Sequence, residues 1–191
     1  MPPGYTLRPA RAEDIGAIRK LVLGALLDPT QLRWSQFWVM AQEGKIIACG
    51  QLRNFPDAQE LGSVVVVPAL RRQGLGSLMV QHLIEQATQP LYLECLGQRL
   101  ARFYTRFGFV PVSWQELPPS LKQKFGLSAL AARVLRVPVY LMRYVAVTDV
   151  RIYRDRRQSS FVELVPSSSN QSSAFSSSSL SGSGSSETDG V

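Results

Sequence analysis

Ser63-Val64-Val65-Val66-Val67-Pro68-Ala69-Leu70-Arg71-Arg72-Gln73-Gly74-Leu75-Gly76-Ser77, with an apolar-periodic run continuing to Ala87, is the stretch that decides the fold. It reads as a buried strand, a basic glycine turn and a helix. The valines Val64 to Val67 are β-branched and stiff, a composition that suits a central strand covered on both faces. Pro68 has no N–H to continue a ladder, and Gly74 and Gly76 clear side chains from the backbone where the next helix begins. The first turn of a helix leaves N–H groups unpaired, worth about 0.3–1 kcal/mol to a nearby anion. Arg71 and Arg72 add charge-assisted hydrogen bonds of about 1.5–3 kcal/mol each. The turn is therefore an anion cradle of a size to take a pyrophosphate.

Outward from this stretch the chain alternates elements. Thr6-Leu7-Arg8 starts a short strand, and Asp14 opens a helix whose Ile15, Ile18, Leu21, Val22 and Ala25 form one apolar face. Phe37 to Met40 and Ile46 to Leu52 flank the polar turn Gln42-Glu43-Gly44-Lys45, the pattern of a hairpin. Glu60 opens the valine strand. The helix after Gly76 presents Leu78, Met79, Leu83 and Ala87, and Leu91 to Cys95 then follows a crossover helix, which favours parallel pairing with the valine strand. Leu100, Phe103, Tyr104 and Phe107 recur at helical spacing before Gly108 ends that element. Phe109 to Val112 and Val139 to Val147 read as closing strands, with 114–136 as an insertion between them. This is an α/β chain with a mixed sheet and helices on both faces.

The 191 residues set a prior of one domain, and 45% hydrophobic residues suffices for an ordinary core. From Pro166 to Val191 serine dominates, and too little apolar surface is present to offset the entropy of ordering, so residues 166–191 are expected to be a disordered tail after a basic linker, 148–165. A formal charge of +7 admits a nucleic acid, a membrane surface or an anionic small ligand without choosing among them. The cluster Arg151, Arg154, Arg156 and Arg157 reads as a solvated linker, with nucleic-acid association as the disfavoured alternative. Cys49 and Cys95 make no disulfide framework and are expected to be buried and reduced. Neither a leader pattern nor an apolar run of membrane-spanning length is visible, which leads to the expectation of a soluble cytoplasmic protein with no membrane partner.

A dinucleotide fingerprint would require glycine at Met79, and a P-loop would require Gly-Lys followed by Ser or Thr. Both are absent. Arg71-x-x-Gly74-x-Gly76 after a strand ending in Pro68 resembles the acyl-CoA pyrophosphate loop of the GNAT superfamily of N-acyltransferases. Phe103-Tyr104-Thr105-Arg106-Phe107-Gly108-Phe109 resembles that family's second signature, Thr6 to Ala10 with Asp14 its opening, and Val139 to Tyr144 its closing strand. The resemblance covers residues 5–147. It implies a mostly antiparallel sheet whose one parallel central pair splays around acyl-CoA.

The resemblance further implies an enzyme that moves an acetyl group from acetyl-CoA to a primary amine by direct attack through a tetrahedral intermediate. Arg71, Arg72, Gln73, Gly74, Leu75, Gly76 and Ser77 would hold the pyrophosphate. Backbone groups of Val64, Val65, Val66 and Val67 would hold the pantetheine arm and polarise the acyl carbonyl, a type of contact worth about 2.7–4 kcal/mol of barrier. Tyr104 matches the tyrosine that protonates the departing thiolate; its alternative is a ring packed beside Phe103 and Phe107. Glu60 is the candidate base, against a solvated or lysine-paired strand end, and Glu94 is a second carboxylate. His82 belongs at the edge of the core, and no zinc spacing exists, so no metal is expected. Gly97 and Leu100 depart from the family's asparagine and alanine. The acceptor, a small molecule or a protein, stays open, as do monomer and homodimer. A non-catalytic module that binds CoA or a protein partner is the alternative function.

Overall fold

The computed structural model of the chain describes residues 4–126 and 138–146. The second half of the 114–136 segment, the Arg151 to Arg157 cluster and the serine-rich stretch lie outside the described residues. Among the described residues, seven strands form one sheet in the order β1-β2-β3-β4-β5-β7-β6. They are β1 (Tyr5–Pro9), β2 (Phe37–Gln42), β3 (Lys45–Asn54), β4 (Gln59–Val66), β5 (Leu91–Leu96), β6 (Phe109–Pro111) and β7 (Val139–Tyr144). The β4–β5 pair is parallel and every other pair is antiparallel. Helices α1 (Ile15–Gly24), α2 (Leu75–Gln86) and α3 (Gln98–Thr105) accompany the sheet.

Local chemistry sets the early elements. Glu43 and Gly44 both take positive φ, 50° and 76°, so a two-residue turn closes the β2–β3 hairpin with Gln42 opposite Lys45. Arg8 donates to both carboxylate oxygens of Asp14, at 2.6 and 3.1 Å, and the Arg11 N–H donates to the same side chain at 2.7 Å. Asp14 thereby ties β1 to the short 3-10 turn that starts α1.

Side-chain alternation along the strands divides the core. Met40, Ala48, Leu52, Leu61, Leu93 and Met142 point to the face carrying α2 and α3, where Leu75, Met79, Val80, Leu83 and Ala101 meet them. On the opposite face α1 buries Ile18 and Val22 against Val39, Cys49 and Val65. A second cluster on that face joins Tyr92, Val139 and Leu141 to Leu117, Leu121 and Phe125. Residues 119–126 are helical. The first part of the segment read as an insertion is thus a core element, because Leu121 and Phe125, four apart on this helix, and Leu117 just before it pack into one cluster with the sheet.

The valine strand departs from its expected environment. Only Val65 is buried, while Val64, Val66 and Val67 are half-buried. The cause lies in the strand's course. β4 pairs with β5 only at Gln59–Leu91 and Glu60–Tyr92. The β3 register runs from Gln51–Gly62 to Cys49–Val65, so Gly50 faces both Ser63 and Val64 in a β-bulge, and Ser63 takes φ 51°. A bulge bends its strand and sharpens the local twist. β4 therefore turns away from β5 just after Glu60, and the valines line an opening.

Candidate active site

The opening between β4 and β5 leaves the β5-facing edge of β4 without a strand beyond Glu60, among the described residues. Backbone N–H and C=O groups on such an edge need partners, which an extended ligand arm can provide. The strand then leads into the glycine turn: the Val67 N–H donates to the Ile47 carbonyl at 2.9 Å, and a 3-10 turn, Pro68–Leu70, ends the ladder.

Arg71, Arg72, Gln73 and Gly74 are exposed, Gly76 and Ser77 are half-buried, and Leu75 is buried, anchoring α2 in the core while leaving only its main chain for a ligand. Arg71 Nε donates to the Val66 carbonyl at 3.0 Å and fixes the turn to the strand end. Arg72 and Gly74 take φ of 68° and 84°. Gly74 is the N-cap of α2, and no side chain caps the helix. The two glycines differ in what demands them. The left-handed backbone at Gly74 disfavours any other residue. At Gly76 a Cβ would meet only Val66 Cγ2 at 3.8 Å, an ordinary contact, so the fold itself does not exclude a side chain there. A bare backbone at an uncapped helix start leaves N–H groups open to an anion.

α3 folds back over the end of β5 and sets the half-buried Tyr104 ring edge-on to Phe103 at 5.1 Å and to Phe109 at 5.8 Å. Burial first, and the neighbouring Cys95 second, push the Tyr104 phenol above its ordinary pKa. It stays protonated through the physiological range. Phe103 and Phe107 meet edge-on at 5.1 Å, with the Arg106 guanidinium 5.1 Å from the Phe103 ring centre. Leu100 is exposed rather than apolar-face, since Ala101 is the residue of α3 that enters the core.

On the opposite face Glu60 is 3% exposed and is neither solvated nor isolated. Arg53 Nη1 donates to its Oε1 at 3.0 Å, and Lys124 Nζ donates to the same oxygen. Arg53 Nη2 donates to Ser63 Oγ at 3.0 Å, and Ser63 Oγ donates to Gln51 Oε1 at 3.3 Å. The guanidinium lies over Gly62, where a Cβ would come within 2.6 Å of Nη1. Arg53, Lys124, Ser63 and Gln51 carry no sequence pattern that marks them, because they converge only through the strand register and the 119–126 helix. Glu94 sits on β5, half-buried, opposite Leu141.

The remaining candidates take structural places. Cys49 and Cys95 are buried free thiols, each pushed by burial to about 12. His82 stacks edge-on to Trp38 at 4.2 Å, and burial lowers its pKa, so it is neutral. No helix among the described residues is long and apolar enough to cross a membrane, and no group of His, Cys, Asp and Glu among them could hold a metal ion.

Residues 33–111 match the family model described as an acetyltransferase (GNAT) domain. An amino-acid acetyltransferase of Shewanella oneidensis is 30% identical over 133 residues, covering 63% of this chain and 30% of that protein. One from Pseudomonas aeruginosa is 31% identical over 126 residues, covering 59% and 29%. The chain thus spans about a third of the length of the curated relatives it matches. Among solved structures, N-acetylglutamate synthase from Neisseria gonorrhoeae, complexed with coenzyme A and N-acetyl-glutamate, aligns with a TM-score of 0.60 at 19% identity, over 73% of this chain and 34% of that one. A Mycobacterium tuberculosis protein in complex with CoA aligns with a TM-score of 0.58 at 24% identity, over 74% and 99%. These likenesses show the fold. The family model lies across the splayed pair and both signature segments, so residues 33–111 are similar to a GNAT acetyltransferase domain.

Proposed function

We propose that the chain is an N-acetyltransferase that uses acetyl-CoA and acts on the amino group of an amino acid. The observation that carries this reading is the two-pair contact between β4 and β5, opening directly beside an uncapped glycine turn. The amino-acid acceptor is supported by the curated relatives' names and by a neighbour complexed with N-acetyl-glutamate.

In this reading Arg71 to Ser77 hold the pyrophosphate, and the free β4 edge at Val64 to Val67 receives the pantetheine arm. Acetyl-CoA supplies the acetyl group as a thioester. Tyr104 donates a hydrogen bond toward the sulfur. Its raised pKa lies well above an ordinary thiol near 8.5, so donation to the developing thiolate is favoured over complete proton transfer. Glu60 takes the amine proton. The domain spans residues 5–147, and a basic linker and serine-rich tail follow it.

The test is release of free CoA from acetyl-CoA across a panel of amino acids, polyamines and peptides, with acetylated product identified by mass. Turnover with amino acids is expected. Binding of acetyl-CoA without turnover of any amine would overturn the enzymatic reading. That outcome belongs to the second reading, a CoA-binding module without chemistry, which the double pairing of Glu60 favours.

A further inference from the structure

Ser63 stands where β4 leaves β5, and its backbone is strained. It takes φ 51°, a conformation that costs an L residue free energy and that glycine adopts freely. Such a residue persists where its surroundings over-determine it. The Ser63 hydroxyl accepts from Arg53 Nη2 at 3.0 Å and donates to Gln51 Oε1 at 3.3 Å, and the Ser63 carbonyl accepts from the Cys49 thiol at 3.6 Å. Cys49, Gln51 and Arg53 are alternate residues of β3, and all are buried. Glycine would relieve the backbone here, but serine supplies a hydroxyl that is used in both directions.

The same network reaches outward to the segment between α1 and β2. Gln51 Nε2 donates to the Gln31 carbonyl at 2.8 Å and to Gln36 Oε1 at 3.3 Å, so one buried amide tethers a largely exposed loop. Asp28 in that loop is attracted by Arg53 and Lys124, and with Glu60 it balances their two charges. Arg53 Nη1 donates to Glu60 Oε1 at 3.0 Å. The loop, the bulge and Glu60 are therefore joined by one continuous set of side-chain contacts.

Beyond Ser63 the edge of β4 faces the gap left by β5. The peptide groups that follow a bend point where the bend directs them. We propose that Ser63 is a positioning residue: Arg53 and Gln51 hold its backbone so that the β4 N–H groups beyond it are aimed at the acetyl carbonyl, and Gln51 makes that aim depend on the seating of the 28–36 loop. This rests on the acetyltransferase reading above. The aim matters only during reaction. When the amine nitrogen bonds to the carbonyl carbon, the oxygen takes the C=O electron pair, and it returns that pair as the C–S bond breaks and its electrons go to sulfur. Donors aimed at this transient charge act on kcat and leave the binding of acetyl-CoA alone.

The experiment uses the full chain and reads kcat and KM for amino acids by CoA release, acetyl-CoA affinity by calorimetry, and stability by thermal melts. Ser63→Gly removes both hydroxyl contacts and the strain together. It is expected to lower kcat by about ten- to a hundredfold, the scale of a small misplacement of reacting groups, at unchanged acetyl-CoA affinity and folded fraction. Ser63→Asn tolerates positive φ and can both accept from Arg53 and donate to Gln51, so it restores most of kcat. Gln51→Met lowers kcat as well, and the double variant Gln51→Met with Ser63→Gly loses little more than either alone, since both break one path. A kcat unchanged in Ser63→Gly overturns the role while acetyl transfer stands, as does a loss that tracks weaker acetyl-CoA binding or a smaller folded fraction. Fully additive losses in the double variant overturn the link to the loop. No turnover of any amine by the wild type removes the acetyltransferase reading and this role with it.

Discussion

The two sides of β4 are built from different materials. Toward α2 the site is backbone: an uncapped helix start, two left-handed residues and a strand edge released by a bulge. Toward α1 and the 119–126 helix it is side chain: a carboxylate gripped by an arginine from the next strand and a lysine 64 residues away. A backbone site must be written in contiguous residues, because glycine spacing and a Pro68 stop set its geometry. A side-chain site can be assembled from anywhere the fold brings together. On the proposed function, the first kind would accept the part of a reaction that stays constant, and the second would be free to choose an acceptor.

The largest effect that would break this division concerns Tyr104, to which the proposed function gives the hydrogen bond toward sulfur. Tyr104→Phe is expected to lower kcat by about a hundredfold or more while leaving acetyl-CoA affinity unchanged, as steady-state kinetics and calorimetry would show. An unchanged kcat would return the ring to a packing role beside Phe103 and Phe109. Next in size, Arg53→Met should destabilise the chain by about 2–3 kcal/mol in urea melts, since it removes a buried partner from Glu60 and from Ser63 at the bulge. A neutral result would mean that the charged cluster is not part of what holds the strand's bend.

The smallest effect serves as a control far from both sides. The Arg8 hydrogen bond holds the Asp14 carboxyl below its ordinary range, against burial, which raises it. A folded pKa below the unfolded value means stability that is present above about pH 4 and lost as pH falls through the folded pKa. Thermal melts of Asp14→Asn should therefore lie below wild type at pH 7, with the gap closing below pH 4. A gap that persists in acid would assign the loss to packing rather than charge.

These contrasts also explain what could be read in the residues beforehand. The hairpin was legible at Gln42-Glu43-Gly44-Lys45 because a two-residue turn needs positive φ at both centres, and α1 was legible from its apolar stripe. Gly74 and Gly76 pointed by their spacing to a helix start free of side chains, and α2 begins there without a side-chain cap. The run Val64 to Val67 misled, since four β-branched residues fit a strand covered on both faces and nothing local announces that Ser63 bulges and opens one edge. Glu60 could be named as a carboxylate at a strand start, but its partners Arg53 and Lys124 are set by register and by a helix read as an insertion. The apolar pair Leu121 and Phe125, four residues apart, was the available signal that this helix belongs to the core.

Gly76 is where the backbone side can be tested most directly. Aspartate at this position meets only an ordinary contact with Val66 and places a negative charge in the first turn of α2, which favours the helix by about 0.3–1 kcal/mol. The same charge repels a pyrophosphate. Calorimetric titration of acetyl-CoA into the full wild-type chain and Gly76→Asp, with melts run alongside, should give binding to the first and none to the second, at equal or higher stability for the variant. Equal binding by both folded proteins, or none by the wild type, would contradict a cofactor site at the glycine turn.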